Sequence, residues 1–188
     1  MMVKKKLRKI MALVWLGLSI KTLPAFGKDA QVSEKIHESR YHTHFPLQKG
    51  GEKLDVLVRV EETQRAYGLY LIFVLKKNWP EERKESLYRL FKGFVDGRET
   101  VKAYPVKIHL QIDSVDLKNA VHIDRLVAER YPLYIRDVNN GEDIWFSQIL
   151  FQGRLPAGVY RICLENRAAV PEIDFDTLIT FEKDLSKH

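Results

Sequence analysis

Leu155-Pro156-Ala157-Gly158-Val159-Tyr160-Arg161-Ile162-Cys163-Leu164-Glu165 is the stretch whose reading decides the fold. From Val159 onward the side chains alternate, Tyr160, Ile162 and Leu164 to one face and Arg161, Cys163 and Glu165 to the other, the period of a half-buried strand. Leu155, Gly158 and Tyr160 compose the arrangement Leu-x-x-Gly-x-Tyr. That spacing suits a tyrosine corner, in which the ring packs inward and the hydroxyl bonds the backbone just upstream, where a Greek-key connection crosses between two sheets. Such a corner stabilises a fold and performs no chemistry. Downstream, Phe175, Thr177, Ile179 and Phe181 repeat the alternation in a final strand.

Upstream the same period recurs. Leu54, Val56, Val58 and Val60 oppose Asp55, Arg59 and Glu61, and Val106, Ile108, Leu110 and Ile112 oppose Lys107, His109, Gln111 and Asp113. Tyr41 to Leu47 reads as a first strand, followed by a turn at Lys49-Gly50-Gly51-Glu52, where two glycines supply positive φ cheaply. Tyr67 to Leu75 is apolar on both faces, so it must be covered on both sides. The expected cover is a short helix opened by Asn78-Trp79-Pro80-Glu81, with Asn78 as cap, an apolar stripe of Leu87, Leu90, Phe91 and Phe94, and an end at Gly93 or Gly97. Tyr131 to Val138 and Asp143 to Gln152 flank Asn140-Gly141, a tight-hairpin signal. Ala120 to Arg130 satisfies both the strand and the helix period. About seven short strands, one inserted helix and no strand-helix repetition point to a mainly β chain: an antiparallel, immunoglobulin-like Greek-key β-sandwich over residues 40–184.

Charge does not suggest a nucleic-acid partner. Six of the 31 basic residues of this 188-residue chain lie in residues 1–27 with no acid among them, leaving 25 basic against 25 acidic groups in the body. Residues 1–27 have the pattern of a secretory signal peptide: Lys4-Lys5-Lys6-Leu7-Arg8-Lys9, then apolar Ile10 to Ile20, then Ala25-Phe26-Gly27. The apolar run is short of the roughly 20 residues a spanning helix needs, so cleavage after Gly27, a periplasmic location and no stable membrane insertion are expected. Residues 28–39 are polar and aperiodic and read as a flexible leader. The chain's one cysteine, Cys163, forms no disulfide within the chain and reads as a small, partly buried apolar residue.

Geometry-bearing motifs are scarce. The sequence has no nucleophile elbow, phosphate loop, zincin histidine pair or cysteine pair, and no cofactor is expected. His42 and His44 are two apart on a strand and share a side, a weak metal candidate with His37 or Glu38 as third ligand, against the plainer reading of two exposed edge histidines. His109 and His122 fall in separate segments. Trp79, Trp145, Tyr131 and Tyr134 are candidate sugar-stacking aromatics, and Trp79 and Trp145 candidate partner-binding ones; the competing assignment puts Trp79 over the helix start and Trp145 in the inter-sheet core. The charges from Glu81 to Glu85 fit a solvated helix face.

Phe45-Pro46-Leu47, Tyr67-Gly68-Leu69-Tyr70-Leu71, the helix with Leu90 and Gly93, Leu155 to Arg161, and Val170-Pro171-Glu172 together resemble an uncharacterised family of exported proteobacterial proteins, the domain of unknown function 5625 family. The resemblance implies an exported sandwich and supplies no catalytic residues. It also implies lipoprotein relatives, from which this chain departs, its one Cys lying far downstream at Cys163. By elimination the sequence points to a non-enzymatic binding domain for a protein of the cell envelope, of which an immunity-type protein is one form. The alternative is a glycan-binding or cell-wall-binding module.

Overall fold

A computed structural model describes residues 32–38, 40–61, 64–92, 94–95, 98–99, 104–115, 120–129, 134–137 and 143–183. The signal-peptide pattern, Gly93, Gly97, Tyr131 and the Asn140-Gly141 turn lie outside them. The elements in chain order are β1 (Val32–His37), β2 (Arg40–His44), β3 (Lys53–Val60), β4 (Tyr67–Lys76), α1 (Glu81–Lys92), β5 (Phe94–Val95), β6 (Arg98–Glu99), β7 (Ile108–Ser114), β8 (His122–Val127), β9 (Tyr134–Asp137), β10 (Asp143–Gly153), β11 (Gly158–Asn166) and β12 (Thr177–Lys183). Two five-stranded sheets, in the orders β1-β3-β11-β7-β8 and β2-β12-β4-β10-β9, pack face to face as a β-sandwich, and β5 and β6 form a separate ribbon. We call the large sheets the first and second. All pairs in them are antiparallel except β1 with β3.

The alternating strands build the core. Val56, Val58 and Val60 of β3, Tyr160, Ile162 and Leu164 of β11, and Ile108, Leu110 and Ile112 of β7 meet Leu69, Leu71 and Phe73 of β4, with Ile179 and Phe181 of β12, in one buried cluster. Tyr67 stacks on Phe181 at 5.3 Å between ring centroids. Gln148 enters this layer with its bonds met: the Tyr104 hydroxyl donates to Gln148 Oε1, and Gln148 Nε2 donates to the Glu129 carbonyl at 3.4 Å, so the amide's burial is compensated.

Several expectations are revised. Residues 32–37, read as leader, form β1, whose parallel pairing with β3 uses backbone groups and needs no apolar pattern. Within ambiguous Ala120 to Arg130, His122–Val127 is edge strand β8, because pairing with β7 satisfies its backbone. More than seven strands therefore pair in the two sheets. The helix begins at Glu81: the Pro80 carbonyl accepts from Arg83 and Lys84 N–H at 3.1 and 3.2 Å, which leaves Asn78 in the preceding turn. The helix covers one face of β4 only. Leu87 and Phe91 join the inter-sheet core, Phe91 lying 4.1 Å from Phe73 and Tyr88 edge-on to Phe146 at 5.0 Å. On its solvent side Arg83 pairs with Asp174 at 2.6 Å and lies 4.1 Å over Trp79, which meets Phe175 edge-on.

Two polar devices fix how the sheets join. The Tyr160 hydroxyl donates to the Pro156 carbonyl at 2.9 Å, closing the corner that leads into β11. At the other end of β11, fully buried Asn166 donates to the Leu47 carbonyl at 3.1 Å and to Glu52 Oε2 at 2.9 Å, and its Oδ1 accepts from Ala168 N–H at 3.3 Å. Gly50 and Gly51, with φ of 77° and 83°, turn the chain so that Glu52 faces Asn166. Burial pushes the Glu52 carboxyl up, but the N–H groups of Lys49, Glu52 and Gly50 and the Asn166 amide outweigh it and hold it below its ordinary value.

Tyr160→Phe, which deletes one bond, is expected to cost about 1 kcal/mol in urea unfolding, and Asn166→Ala, which deletes three side-chain bonds, about 2–3 kcal/mol. Because the Glu52 shift is downward, its stabilisation is full above the unfolded carboxyl value and fades as pH falls through the folded one. Glu52→Gln should therefore flatten the loss of stability below about pH 4.5, measured as melting temperature against pH.

Candidate functional site

The outer faces of the two sheets have opposite chemistry. On the second sheet, the registers Leu178 with Ile72, Thr180 with Tyr70, Trp145 with Val74 and Ile149 with Tyr70 put these side chains on the face turned away from the core. Tyr70, Ile72 and Val74 are buried there, with Trp145, Ile149 and Leu178 packed around them as a second apolar cluster separate from the inter-sheet one. Two buried polar atoms in this layer, Trp145 Nε1 and Thr180 Oγ1, lack a hydrogen-bond partner. Both atoms are closed off by the protein itself, and a buried polar group left unpaired costs on the order of 1–3 kcal/mol. Trp145 is thus on the outer face and outside the inter-sheet core. Trp79 packs at the helix start against the main cluster. Tyr134 falls on β9, opposite Ser147.

His42 and His44 lie on the same face at the edge, opposite Thr180 and Leu178, both exposed, with His44 Nε2 3.5 Å from Asp176. His37 belongs to the first sheet and contacts the Tyr41 ring at 4.3 Å between centroids. Among the described residues no group of three or more His, Cys, Asp or Glu is placed to hold a metal ion.

The outer face of the first sheet is polar and paired within itself. Asp55, expected in water, is 3% exposed, because the Arg161 guanidinium on the neighbouring strand closes over it with two bonds, Nε to Oδ1 at 2.8 Å and Nη2 to Oδ2. The carboxylate raises the Arg161 pKa further above its ordinary value. Cys163, opposite Asp55 in register, is a buried free cysteine. Burial, then the Asp55 charge, pushes its thiol up to about 12, against the pull of Arg161. A thiol in that state is not a nucleophile at neutral pH. On β7 and β8, His122 Nδ1 lies 2.5 Å from Asp113 Oδ1 and His109 Nε2 lies 2.6 Å from Asp124 Oδ1. Gln111 Nε2 donates to Asp113 Oδ2 at 2.6 Å.

Sequence spacing missed most of these residues. Tyr70, Ile72 and Val74 were visible as the second apolar face of β4, but Ile149, Leu178 and Thr180 join them only through sheet register. The two histidine-aspartate pairs likewise depend on the β7–β8 register.

Residues 43–182 match a family described as "Domain of unknown function (DUF5625)". A solved crystal structure of a protein from Sulfurospirillum deleyianum is similar over 78% of this chain and 98% of its own, at 17% identity and a TM-score of 0.49. No curated protein matches the chain.

Arg161→Met would strand the Asp55 carboxylate and is expected to cost about 3 kcal/mol in denaturant unfolding, most of it recovered by adding Asp55→Asn. Cys163 should resist iodoacetamide at pH 7 in the folded chain and react at the rate of a free thiol in 6 M urea, followed by mass spectrometry; fast labelling of the native protein would contradict its raised pKa.

Proposed function

This chain belongs to the DUF5625 family, and from that premise and the contrast between its two outer faces we propose that it is a non-enzymatic binding domain whose ligand is a protein, held on the outer face of the second sheet. The observation that carries the reading is the apolar cluster of Tyr70, Ile72, Val74, Trp145, Ile149 and Leu178 outside the sandwich core. A sandwich needs apolar inner faces only, and the chain's helix packs on the inner cluster. A protein that seats apolar side chains against Trp145, Ile149 and Leu178, the half-buried rim around Tyr70, Ile72 and Val74, extends this apolar layer. Aliphatic residues make up much of the face, which favours a protein over a sugar, whose stacking needs open aromatic faces. Trp79 does not offer a second platform, being engaged by Phe175 and Arg83.

The polar face supports the non-enzymatic part. Its carboxylates are committed to Arg161, His122, His109 and Gln111, and its thiol is protonated. The partner belongs to the cell envelope, which the chain reaches through its signal-peptide pattern.

The test compares baits of residues 28–188, wild type against Ile149→Asp, Leu178→Asp and Trp145→Phe, on native periplasm, followed by calorimetry with the purified partner. The aspartates should abolish binding, and Trp145→Phe, which trims the ring at the rim of the cluster, should weaken it, each with a preserved circular dichroism spectrum. Equal retention by all baits would move the interface elsewhere, and retention of cell-wall glycan with no protein would replace the protein reading with the glycan one.

A further inference from the structure

Strand β8 is the outermost strand of the first sheet and pairs with β7 alone. Its apolar attachment is thin: Val127 is buried and Ile123 half-buried, whereas His122, Asp124, Arg125 and Leu126 are exposed, Leu126 at 56%. An edge strand held by so little apolar surface depends on its ladder and its polar side chains. Arg125 supplies one tie, donating to the Leu150 carbonyl of β10 in the other sheet. The rest are on the outer face, where Asp113 stands opposite His122, Gln111 opposite Asp124 and His109 opposite Leu126. His122 bonds Asp113 directly across, and Asp124 reaches diagonally to His109.

We propose that the crossed pairs His122–Asp113 and His109–Asp124 form a pH-responsive clasp that holds edge strand β8 on β7, tight at mildly acidic pH and loose as His122 loses its proton. The two pairs are not equivalent. The Arg167 guanidinium lies 3.5 Å from His109 Nδ1, and Arg167 is itself paired with Glu165 at 3.0 Å. His109 is thus shared between a cation at Nδ1 and the Asp124 carboxylate at Nε2. His122 has no cation of that kind among its described partners. It faces Asp113 on β7 and has Asp124 on its own strand, while Arg161 and Cys163 of β11 stand opposite Asp113 and Gln111 on the far side of β7. The hydrogen bond to Asp113, then its charge, raises the His122 pKa, with Asp124 adding to it. A raised histidine contributes fully below its unfolded value of 6.5 and loses that contribution as pH rises through the higher folded value. The switch thus operates on the alkaline side of 6.5, where the clasp keeps a hydrogen bond and loses its ion pair.

The experiment is amide hydrogen exchange of residues 28–188 at pH 5.5, 7 and 8.5, with rates corrected for intrinsic base catalysis. Protection of the β8 amides bonded to β7 should fall by about twofold to fivefold across the range, as an exposed ion pair supports, while β3 and β11 amides hold steady. His122→Gln should abolish the pH dependence, and His109→Gln should keep it. Protection of β8 that is indifferent to pH in the wild type, or that varies equally in His122→Gln, would overturn the proposal.

Discussion

Strand β4 is apolar on both faces, and the sandwich is organised around hiding it. Ten residues from Tyr67 to Lys76 need neighbours on each edge and layers on each side. The edges are met by β10 and β12, so strands from distant parts of the sequence are drawn to one place. Leu69, Leu71 and Phe73 then commit the inner face to the first sheet, and a register slip of one residue would exchange them with Tyr70, Ile72 and Val74. Since both sets are apolar, burial alone discriminates poorly between the two registers. The polar fastenings at Tyr160 and Asn166, which tie β11 and the β2–β3 turn, supply directional bonds that apolar packing lacks.

Where one face meets the core and the other is polar, the sequence is transparent, as in β3, β7 and β11. Val56 and Val58, or Ile162 and Leu164, announce their direction by alternation alone. The outward neighbours are another matter. Asp55 looks like any solvated strand carboxylate, and its burial is caused by Arg161, 106 residues away. The helix after β4 was legible from Leu87 and Phe91, yet its seat on the inner cluster depends on Phe73 and Phe146, which no local pattern links to it. Edge strands were the least legible, because β1 and β8 carry mixed side chains and owe their state to a neighbour's backbone.

The same reason hides the candidate sites. His122 and Asp113 are nine residues apart and become partners only because β7 and β8 pair antiparallel. Motif searching looks for groups close in sequence or at helical spacing, and a sheet face gathers its chemistry at right angles to the chain. The two outer faces show what that gathering produces: one whose charges are consumed internally, and one whose apolar surface holds two unpaired polar groups.

The buried state of Cys163 also sets a time order. While the chain is unfolded, its thiol is open to oxidants and to low-molecular-weight disulfides. Once β3, β7 and β11 have assembled, the sulfur lies in the middle of a sheet beside the buried Asp55 carboxylate and is sealed off. Oxidative damage to this protein is therefore a race between sheet closure and thiol chemistry, decided once per molecule. A chain that wins the race needs no disulfide isomerase afterwards, and any mixed disulfide at Cys163 marks a molecule that was caught before it closed.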